Sequence, residues 1–363
     1  MATSYTWNGS ASSLWNNGAN WTPNGIPGAV AGDDVTFDST AVNCTLNINP
    51  VEPLVGLIMT GGYSGTLDFS GNTLDVDGDA TVVGSIADAG SGGVLECNGN
   101  FSTTAALPVG FTVDCNVTVG TKTLTANVAT NRASLIYSGS GRVDLATDNY
   151  WADLDYTGSD QLVMAAGKDL YLIGSDGSST DAHFIHPGTG TISTSSAAVY
   201  MNYGGNVAHK SNNGAFDLVV AAGKTATLIT NTLQIFRTIT LGENATITDK
   251  GVYFVNPVAG SFVVPASATF ASELRINCTT WTPNQDITLA DKEIDLNRGT
   301  FDFANGLDLG TGLLNLDASG GGIATVNMNG GDLTCGDIRL GWPAKTHKPT
   351  LLLGSGDHNV SGG

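Results

Sequence analysis

The sequence predicts an all-β protein: a parallel β-helix (β-solenoid) with an aromatic-rich N-terminal cap. Three observations support this prediction. Glycine is abundant, at 48 of 363 residues, whereas the good helix formers Glu and Lys are scarce. Short runs of alternating apolar and polar residues recur, and each run ends in Gly, Asn or Asp. Several of these runs echo one another along the chain, which is typical of solenoids.

Residues 1–37 are predicted to form the N-terminal cap. Trp7, Trp15 and Trp21 lie within fifteen residues, among Gly, Asn and Ser. The first coil of a solenoid has no neighbour below it, and aromatic side chains, which bury roughly 150–250 Å² each, can cover that open end. A carbohydrate-binding aromatic cluster is the alternative interpretation of the same three tryptophans.

Residues 38–363 are predicted to form the solenoid. The stretch "GTLDFSGNTLDVDGDATVVG", from Gly65, contains short alternating strands. A similar sequence pattern begins again at Gly299. A sharper echo links "MAAGKDLYLIG", from Met164, to "VAAGKTATLIT", from Val220. Equivalent turns recur at a spacing of about 20–25 residues, as expected when each coil buries one face on its neighbours.

Three parts of the chain depart from this pattern. Residues 167–186 are the only plausible helix-like stretch, although glycine interrupts it. The long polar stretch 175–213 suggests a lateral excursion or a junction between two solenoid segments. The final stretch, "TLLLGSGDHNVSGG", follows a strand and turn pattern without a capping element. We therefore expect another chain to cap this end, or the natural protein to continue beyond it.

The charge distribution excludes several classes of partner. The net charge is −19, and the first 121 residues contain eleven acidic residues and no basic one, Lys122 being the first. Such a surface repels nucleic acids and anionic membranes. No apolar run is long enough to span a bilayer, and the start of the chain has no signal-peptide pattern. We expect no nucleic acid partner and no membrane insertion.

The cysteines and one glycine-rich turn have simple structural interpretations. The chain has five cysteines, an odd number without a CxxC pair, which predicts small buried apolar residues rather than a disulfide framework. They are Cys44, Cys97, Cys115, Cys278 and Cys335. The run Gly223-Lys224-Thr225 resembles part of a phosphate-binding loop, but Leu218 stands where the motif requires its first glycine. A turn leading into a strand is predicted there.

Two clusters contain residue types that bind metals. Asp75, Asp77 and Asp79 resemble half of a calcium loop, but the further ligands are missing. Their alternation predicts that all three carboxylates lie on one solvated face of a strand, with a weak cation site as the alternative. The polar region also contains histidines at a spacing that can ligate zinc, without a further ligand at a firm spacing: His183, His186 and His209. We expect no metal site and no cofactor.

The stretch "DNYWADLDYTGSDQ" contains the best candidate for carbohydrate contact. Exposed aromatic rings stack on sugars, so Tyr150 and Trp151 are predicted to contact a glycan. The acids Asp153, Asp155 and Asp160 follow them, and glycoside cleavage requires two carboxylates about 5–10 Å apart. The alternative is that the aromatic side chains of this stretch pack inside a coil or an interface. We assign no catalytic residue.

The opening pattern resembles the N-terminal segment of large bacterial β-solenoid surface proteins, including autotransporter-type adhesins. The resemblance depends on Trp7-Asn8-Gly9, Trp15, Asn20-Trp21, Pro27, Asp34-Val35 and Phe37. The later coils resemble those proteins and also the shafts of phage tail fibres and tailspikes. The resemblance implies an extracellular adhesive or structural role and identifies no catalytic residue. The missing signal peptide departs from the adhesin pattern and favours the phage interpretation.

These observations predict a non-enzymatic structural and adhesive virion protein: a phage fibre, spike or surface decoration. It would provide a rigid extended shaft and contact with a host or surface. The alternatives are a secreted bacterial adhesin fragment and a polysaccharide-degrading β-helix enzyme. The expected partners are other virion or surface-protein subunits, in a homo-oligomer, and a host-surface glycan. The expected location is the virion, or the cell surface and its exterior.

Overall fold

A computed structural model shows an all-β chain, 48% strand and 1% helix, folded as a parallel β-solenoid of about nine turns. The chain forms two compact units, Met1–Ala197 (unit 1) and Ala198–Gly363 (unit 2). The structure describes residues 1–90, 92–174, 184–186, 191–194, 198–201, 205–209, 216–228, 234–249, 253–255, 269–270, 274–281, 287–288, 293–303, 308–316, 324–341 and 349–361.

The described residues of unit 1 form twenty short strands. They are β1 (Ser4–Trp7), β2 (Trp21–Thr22), β3 (Asp34–Phe37), β4 (Cys44–Thr45), β5 (Leu54–Met59), β6 (Thr66–Asp68), β7 (Thr73–Val82), β8 (Ser85–Ala87), β9 (Val94–Cys97), β10 (Phe101–Thr103), β11 (Thr112–Asp114), β12 (Thr121–Thr125), β13 (Ser134–Tyr137), β14 (Arg142–Leu145), β15 (Asn149–Trp151), β16 (Leu154–Tyr156), β17 (Gln161–Met164), β18 (Leu170–Leu172), β19 (Phe184–His186) and β20 (Thr191–Thr194).

These strands stack into parallel ladders that form the faces of the solenoid. One ladder runs β1–β3–β5–β7–β10–β12–β14–β17–β20. A second runs β7–β9–β11–β13–β16–β19. Shorter ladders join β4, β6 and β8, and β15 with β18. Since β7 belongs to both long ladders, it spans the corner between two faces.

The core of unit 1 consists of columns of apolar side chains, one from each coil. Pairing places seven buried residues in one inward column, Val35, Leu57, Ala80, Phe101, Leu124, Leu145 and Met164. Successive members lie between 19 residues (Leu145 to Met164) and 23 residues (Leu57 to Ala80) apart. The repeat predicted from equivalent turns is confirmed, because every coil must return to the same position to bury its apolar face.

The echo between the two Ala-Ala-Gly-Lys stretches corresponds to the same turn in two coils. Gly167 and Gly223 both have a φ of +67°, in the left-handed region that glycine adopts without strain. In each turn the backbone N–H of the following lysine, Lys168 or Lys224, donates to the carbonyl oxygen three residues earlier, at 3.0 and 3.1 Å. The second turn leads into β24, so the predicted turn at Gly223-Lys224-Thr225 is confirmed.

The described residues of unit 2 form sixteen strands. They are β21 (Ala198–Met201), β22 (Gly205–His209), β23 (Phe216–Val220), β24 (Thr225–Leu228), β25 (Gln234–Leu241), β26 (Thr246–Asp249), β27 (Tyr253–Val255), β28 (Thr269–Phe270), β29 (Leu274–Trp281), β30 (Ile287–Thr288), β31 (Glu293–Asp302), β32 (Leu309–Leu316), β33 (Ala324–Asn327), β34 (Leu333–Leu340), β35 (Thr350–Leu352) and β36 (His358–Val360). They also pair in parallel, for example in the ladders β30–β32–β34–β36 and β31–β33–β35.

The helix-like interpretation of residues 167–186 is wrong for the described part, because Leu170–Leu172 and Phe184–His186 form strands β18 and β19; residues 175–183 lie outside the described residues. Within the described ranges, the only helical segment is a single 3-10 turn at Gly18–Asn20, and no helix is long and apolar enough to cross a membrane. The described parts of 175–213 are strands. The predicted excursion or junction otherwise lies outside the described residues.

Candidate functional site

The three N-terminal tryptophans form one buried cluster. Trp7, Trp15 and Trp21 are at most 1% exposed. The ring of Trp21 meets those of Trp7 and Trp15 edge to face, with centroids 4.9 and 4.8 Å apart. Phe37 of β3 packs against all three rings, at 5.8 to 6.4 Å. Edge-to-face pairs at these distances stabilise a cluster beyond its area burial.

Each indole N–H in this cluster has a backbone acceptor. Trp7 Nε1 donates to the carbonyl oxygen of Val42 at 2.9 Å, and Trp15 Nε1 donates to that of Pro27 at 3.2 Å. Trp21 Nε1 donates to the carbonyl oxygen of Trp15 at 2.8 Å. Because each indole N–H has an acceptor, the hydrogen bonds offset the cost of removing these groups from water, and the cluster can be fully buried.

The backbone around the cluster closes the first coil. Strand β2 pairs antiparallel with β1, on the side away from β3, and so ends the parallel ladder. Buried Asn20 fixes the preceding loop: its Oδ1 accepts from the N–H groups of Ala11 and Ser12, and its Nδ2 donates to the carbonyl oxygen of Leu14. The predicted aromatic cap is therefore present, and buried rings of this kind have no free face for a sugar.

Tyr150 of β15 and Tyr171 of β18 form an outward-facing aromatic pair. The two residues occupy equivalent positions in neighbouring coils, with ring centroids 4.6 Å apart and ring planes 9° apart. Both side chains are half-buried. Stacking hides one face of each ring, and part of each side chain remains accessible at the surface. The sequence indicated Tyr150 as a contact residue but not Tyr171, because Tyr171 lies one coil later in the chain.

Trp151 lies on the opposite side of the same strand. Its ring is fully buried and packs 6.2 Å from Phe101, centroid to centroid. The prediction that Trp151 contacts a glycan is therefore wrong, because side chains alternate across a strand and only Tyr150 faces outwards. The Trp151 Nε1 atom is buried and has no hydrogen-bond partner within the described ranges.

Two carboxylates accompany the tyrosine pair. Asp148 and Asp169 lie two residues before Tyr150 and Tyr171 in neighbouring coils, and Asp148 Oδ1 accepts the backbone N–H of Asp169 at 3.2 Å. The hydroxyl of Tyr171 lies 3.5 Å from Asp169 Oδ2. Aromatic rings beside carboxylate acceptors suit a carbohydrate, whose apolar ring face stacks while its hydroxyls donate hydrogen bonds. We call these four residues the tyrosine patch.

A column of acids runs along another face of unit 1. Asp75, Glu96 and Asp114 lie directly opposite one another in β7, β9 and β11. Asp155 of β16 lies two coils beyond Asp114, with Ile136 between them. Burial raises the pKa of all four carboxyl groups, and the neighbouring charges of Asp75 and Asp114 raise that of Glu96 further. We call these four acids the acidic column.

The three aspartates of "DVDGD" are solvent-facing as predicted, but they do not share one face. Asp75 lies opposite Glu96 in one ladder, whereas Asp79 lies opposite Gly56 in the other. The corner within β7 separates them, with exposed Asp77 next to it. Their carboxylates therefore belong to different surfaces, and the expectation of a common strand face is wrong.

The remaining candidates are placed as follows. Asp153 and Asp155 flank buried Leu154 on the outer side of the coil. Asp160 follows the next turn, and its carbonyl oxygen accepts the hydroxyl of buried Tyr156. His183 and the side chains of His186 and His209 lie outside the described residues. Within the described part, no group of three or more potential ligands is arranged to hold a metal ion.

Comparison with protein-family models, with curated protein sequences and with solved structures finds no match for this chain. The functional argument therefore depends on the geometry of the chain itself.

Proposed function

We propose that this chain is a non-enzymatic structural and adhesive protein, carried on the outside of a virion as a fibre, spike or surface decoration. The observation that carries the proposal is the tyrosine patch, which presents stacked rings and carboxylates on the outer face of a hydrogen-bonded ladder. Ladder strands hold such a surface more precisely than loops do. The proposed ligand is a host-surface glycan.

The coil architecture supports the structural part of this role. In-register parallel ladders satisfy the backbone groups of successive coils, and the cap covers the first one. A secreted bacterial adhesin would use the same features, so the source particle decides between the two. Mass spectrometry of purified virions and of cell envelopes from the source organism makes that distinction, and we expect the protein in the virion fraction.

Self-association is the second part of the proposal. In the described part of unit 2, β35 and β36 each pair along one edge only. Nearby apolar side chains are 45 to 56% exposed: Leu340, Leu352, Leu353 and Val360. Unpaired edges and apolar side chains favour pairing with another chain. Light scattering after size exclusion should show a homo-oligomer, and a stable monomer at high concentration would contradict this part.

The tyrosine patch is tested by binding of the labelled full-length protein to host cells and to immobilised surface polysaccharide. The pair Tyr150→Ala/Tyr171→Ala should reduce binding at least tenfold, which corresponds to about 1.4 kcal/mol. The pair Tyr150→Phe/Tyr171→Phe keeps the stacking and should retain most of the binding. Val119→Ala, at a 75% exposed turn position, is the control and should change nothing.

Two results would contradict the adhesive proposal. One is unchanged binding in the Tyr150→Ala/Tyr171→Ala protein. The other is release of oligosaccharides from the polysaccharide by the wild-type protein, with loss of release in Asp155→Asn. That second result would establish the enzymatic alternative, because a carboxyl group with a raised pKa suits a general acid.

A further inference from the structure

A notch opens in the outer face of unit 1 where a glycine interrupts a column of polar side chains. Ser4, Asp34, Gly56 and Asp79 occupy the same outward position in β1, β3, β5 and β7. The missing side chain leaves a cavity of about 460 Å³ over Gly56. Its lining residues are Asp34, Val35, Val55, Gly56, Ile58, Asp79 and Thr81.

The fold does not require glycine at this position. A Cβ atom added to Gly56 would meet its nearest neighbours, the Asp79 carbonyl oxygen and Asp34 Cβ, at 3.8 and 3.9 Å, which is ordinary contact. Its φ lies outside the left-handed region. Glycine inside a strand weakens that strand and often marks a site of close approach by a ligand or another chain. Because neither packing nor backbone conformation requires glycine here, the notch is better explained as a space that a ligand or another chain fills.

Carboxylates stand on both sides of the notch. Asp34 Oδ2 accepts the Ser4 hydroxyl at 2.9 Å, and Asp79 Oδ1 accepts the backbone N–H of Asn100 at 2.8 Å. In each carboxylate, a hydrogen bond to one oxygen thus fixes the orientation of the group. Within the described ranges, neither aspartate forms an ion pair. Two strand spacings separate their backbones, about 9.6 Å.

This spacing favours an organic cation over a metal ion. A calcium ion needs several oxygens within about 2.3–2.6 Å, which two carboxylates on opposite sides of a notch do not provide. An ammonium or guanidinium group between them can donate hydrogen bonds to both carboxylates. Val55 and Ile58, 48% and 49% exposed, flank the notch and suit the aliphatic stem of lysine or arginine, which packs on apolar surface.

The surrounding charge has the matching sign. The first 121 residues carry eleven acids and no Lys or Arg, so this part of the chain supplies no Lys or Arg side chain that could fill the notch. The same segment of a second copy would bring the same negative charge and be repelled. Complementary potential instead attracts a basic surface and speeds its association.

We propose that the notch over Gly56 is a docking site for a lysine or arginine side chain of a basic partner protein. The charged group lies between Asp34 and Asp79, and its stem packs against Val55 and Ile58. The inference goes beyond the proposed adhesive function, because it concerns a different surface from the tyrosine patch and a protein ligand rather than a glycan.

The test uses the full-length protein and a fluorescent peptide, Gly-Arg-Leu-Arg-Gly, with a citrulline analogue that keeps the shape of arginine without its charge. Fluorescence anisotropy should show binding of the arginine peptide that weakens with added salt, and no binding of the analogue. Asp34→Asn/Asp79→Asn keeps an acceptor oxygen for Ser4 and Asn100 and should weaken binding at least tenfold. Gly56→Val fills the notch with a strand-favouring side chain and should weaken binding equally.

The control is Glu243→Gln/Asp357→Asn, which also removes two negative charges, but from exposed positions in unit 2. It should change the affinity for the peptide less than twofold. Wild-type affinity in both notch variants would overturn the proposal. So would an equal loss in the control, because that result indicates attraction by net charge alone. Absence of wild-type binding would also overturn it. If Gly56→Val fails to fold, the asparagine pair decides.

Discussion

Trp21 and Trp15 meet edge to face with ring centroids 4.8 Å apart, and the indole N–H of Trp21 donates to the carbonyl oxygen of Trp15. The same two residues are thus joined by a ring contact and by a hydrogen bond. This double link fixes a loop rich in glycine and asparagine across the first coil. The stability of the N-terminal coils therefore depends on a few aromatic side chains.

Trp21→Ala should destabilise the N-terminal coils by about 3–5 kcal/mol, because it removes a buried ring and leaves a cavity among Trp7, Trp15 and Phe37. In a solenoid each coil depends mainly on its neighbours, so the loss should be local. Limited proteolysis with mass spectrometry should show cleavage within the first ~60 residues while distal fragments survive.

A matched control is Phe301→Ala, which removes a buried ring from unit 2 that packs 4.4 Å from Phe303, centroid to centroid. It should leave the N-terminal segment protected and expose residues near β31. If Trp21→Ala leaves proteolysis unchanged but abolishes glycan binding, the cluster is a recognition surface and not a cap.

The acidic column should make the protein more stable in mild acid than at neutral pH. Burial, together with the charges of neighbouring carboxylates, raises the native pKa of Asp75, Glu96 and Asp114 above the ordinary value of 3.8 for Asp or 4.5 for Glu. The native state then binds more protons than the unfolded state between the two pKa values. The free energy of unfolding from these groups therefore falls as pH rises through that window.

Glu96→Gln tests this dependence, since Glu96 lies between two like charges. The variant should raise the free energy of unfolding at pH 7 by roughly 0.2–1 kcal/mol. It should also reduce the decrease of that free energy as the pH rises above the ordinary pKa of Glu. Denaturant titrations at several pH values measure both effects. Glu243→Gln, at an exposed turn, is the control. Equal gains in the two variants would mean that the protein's total negative charge, and not the column, sets the dependence.

Gly78→Ala should be strongly destabilising, by about 1–3 kcal/mol or more. Gly78 lies at the corner of β7, where a Cβ atom would collide with the backbone carbonyl oxygen of Val55, so the backbone of one coil would have to shift. Gly56→Ala in the neighbouring strand is the control and should be tolerated. Thermal unfolding monitored by circular dichroism compares them, and similar midpoints would refute the explanation.

The described cysteines should not react with thiol reagents in the native state. Cys44, Cys97, Cys115 and Cys335 are buried. Burial raises the pKa of each thiol, to about 11 for Cys97, and only the thiolate is nucleophilic. A chromogenic disulfide reagent should modify at most Cys278, whose side chain lies outside the described residues, until denaturant is added. Fast native labelling of more than one thiol would contradict the structure.

The cap and the coils could be predicted because each follows a local rule. Alternation marks strands, left-handed glycine marks the turns, and three tryptophans in an irregular segment need a place to be buried. Tyr150 and Trp151 show where such rules stop. Neighbouring strand residues must face opposite sides, so one of the two had to be buried, but only pairing with β18 reveals that Tyr150 faces outwards.

The two surfaces that matter most also depend on pairing between coils. Asp34 and Asp79 are 45 positions apart in the chain, and nothing near either one indicates that Gly56 lies between them. The acidic column likewise joins residues from separate coils. In the same way, the corner inside β7 separates Asp75 from Asp79 although they look alike in sequence. Register, which a single strand does not encode, creates each of these relationships.

Coils of 19 to 23 residues share one inward column in unit 1, so their differences in length are absorbed outside that column, in the turns and at the register shift between β5 and β7. Such a chain tolerates evolutionary insertions and deletions unevenly. A residue gained at an open turn such as Gly120 or Gly167, with no atom within 4 Å of an added Cβ, leaves the rungs intact. A residue gained inside a strand inverts the side chains that follow in that strand, unless a bulge absorbs it, as at the register shift between β5 and β7. Duplication of one entire coil preserves both the rungs and the direction of each side chain, and would lengthen the stack by one rung of about 4.8 Å.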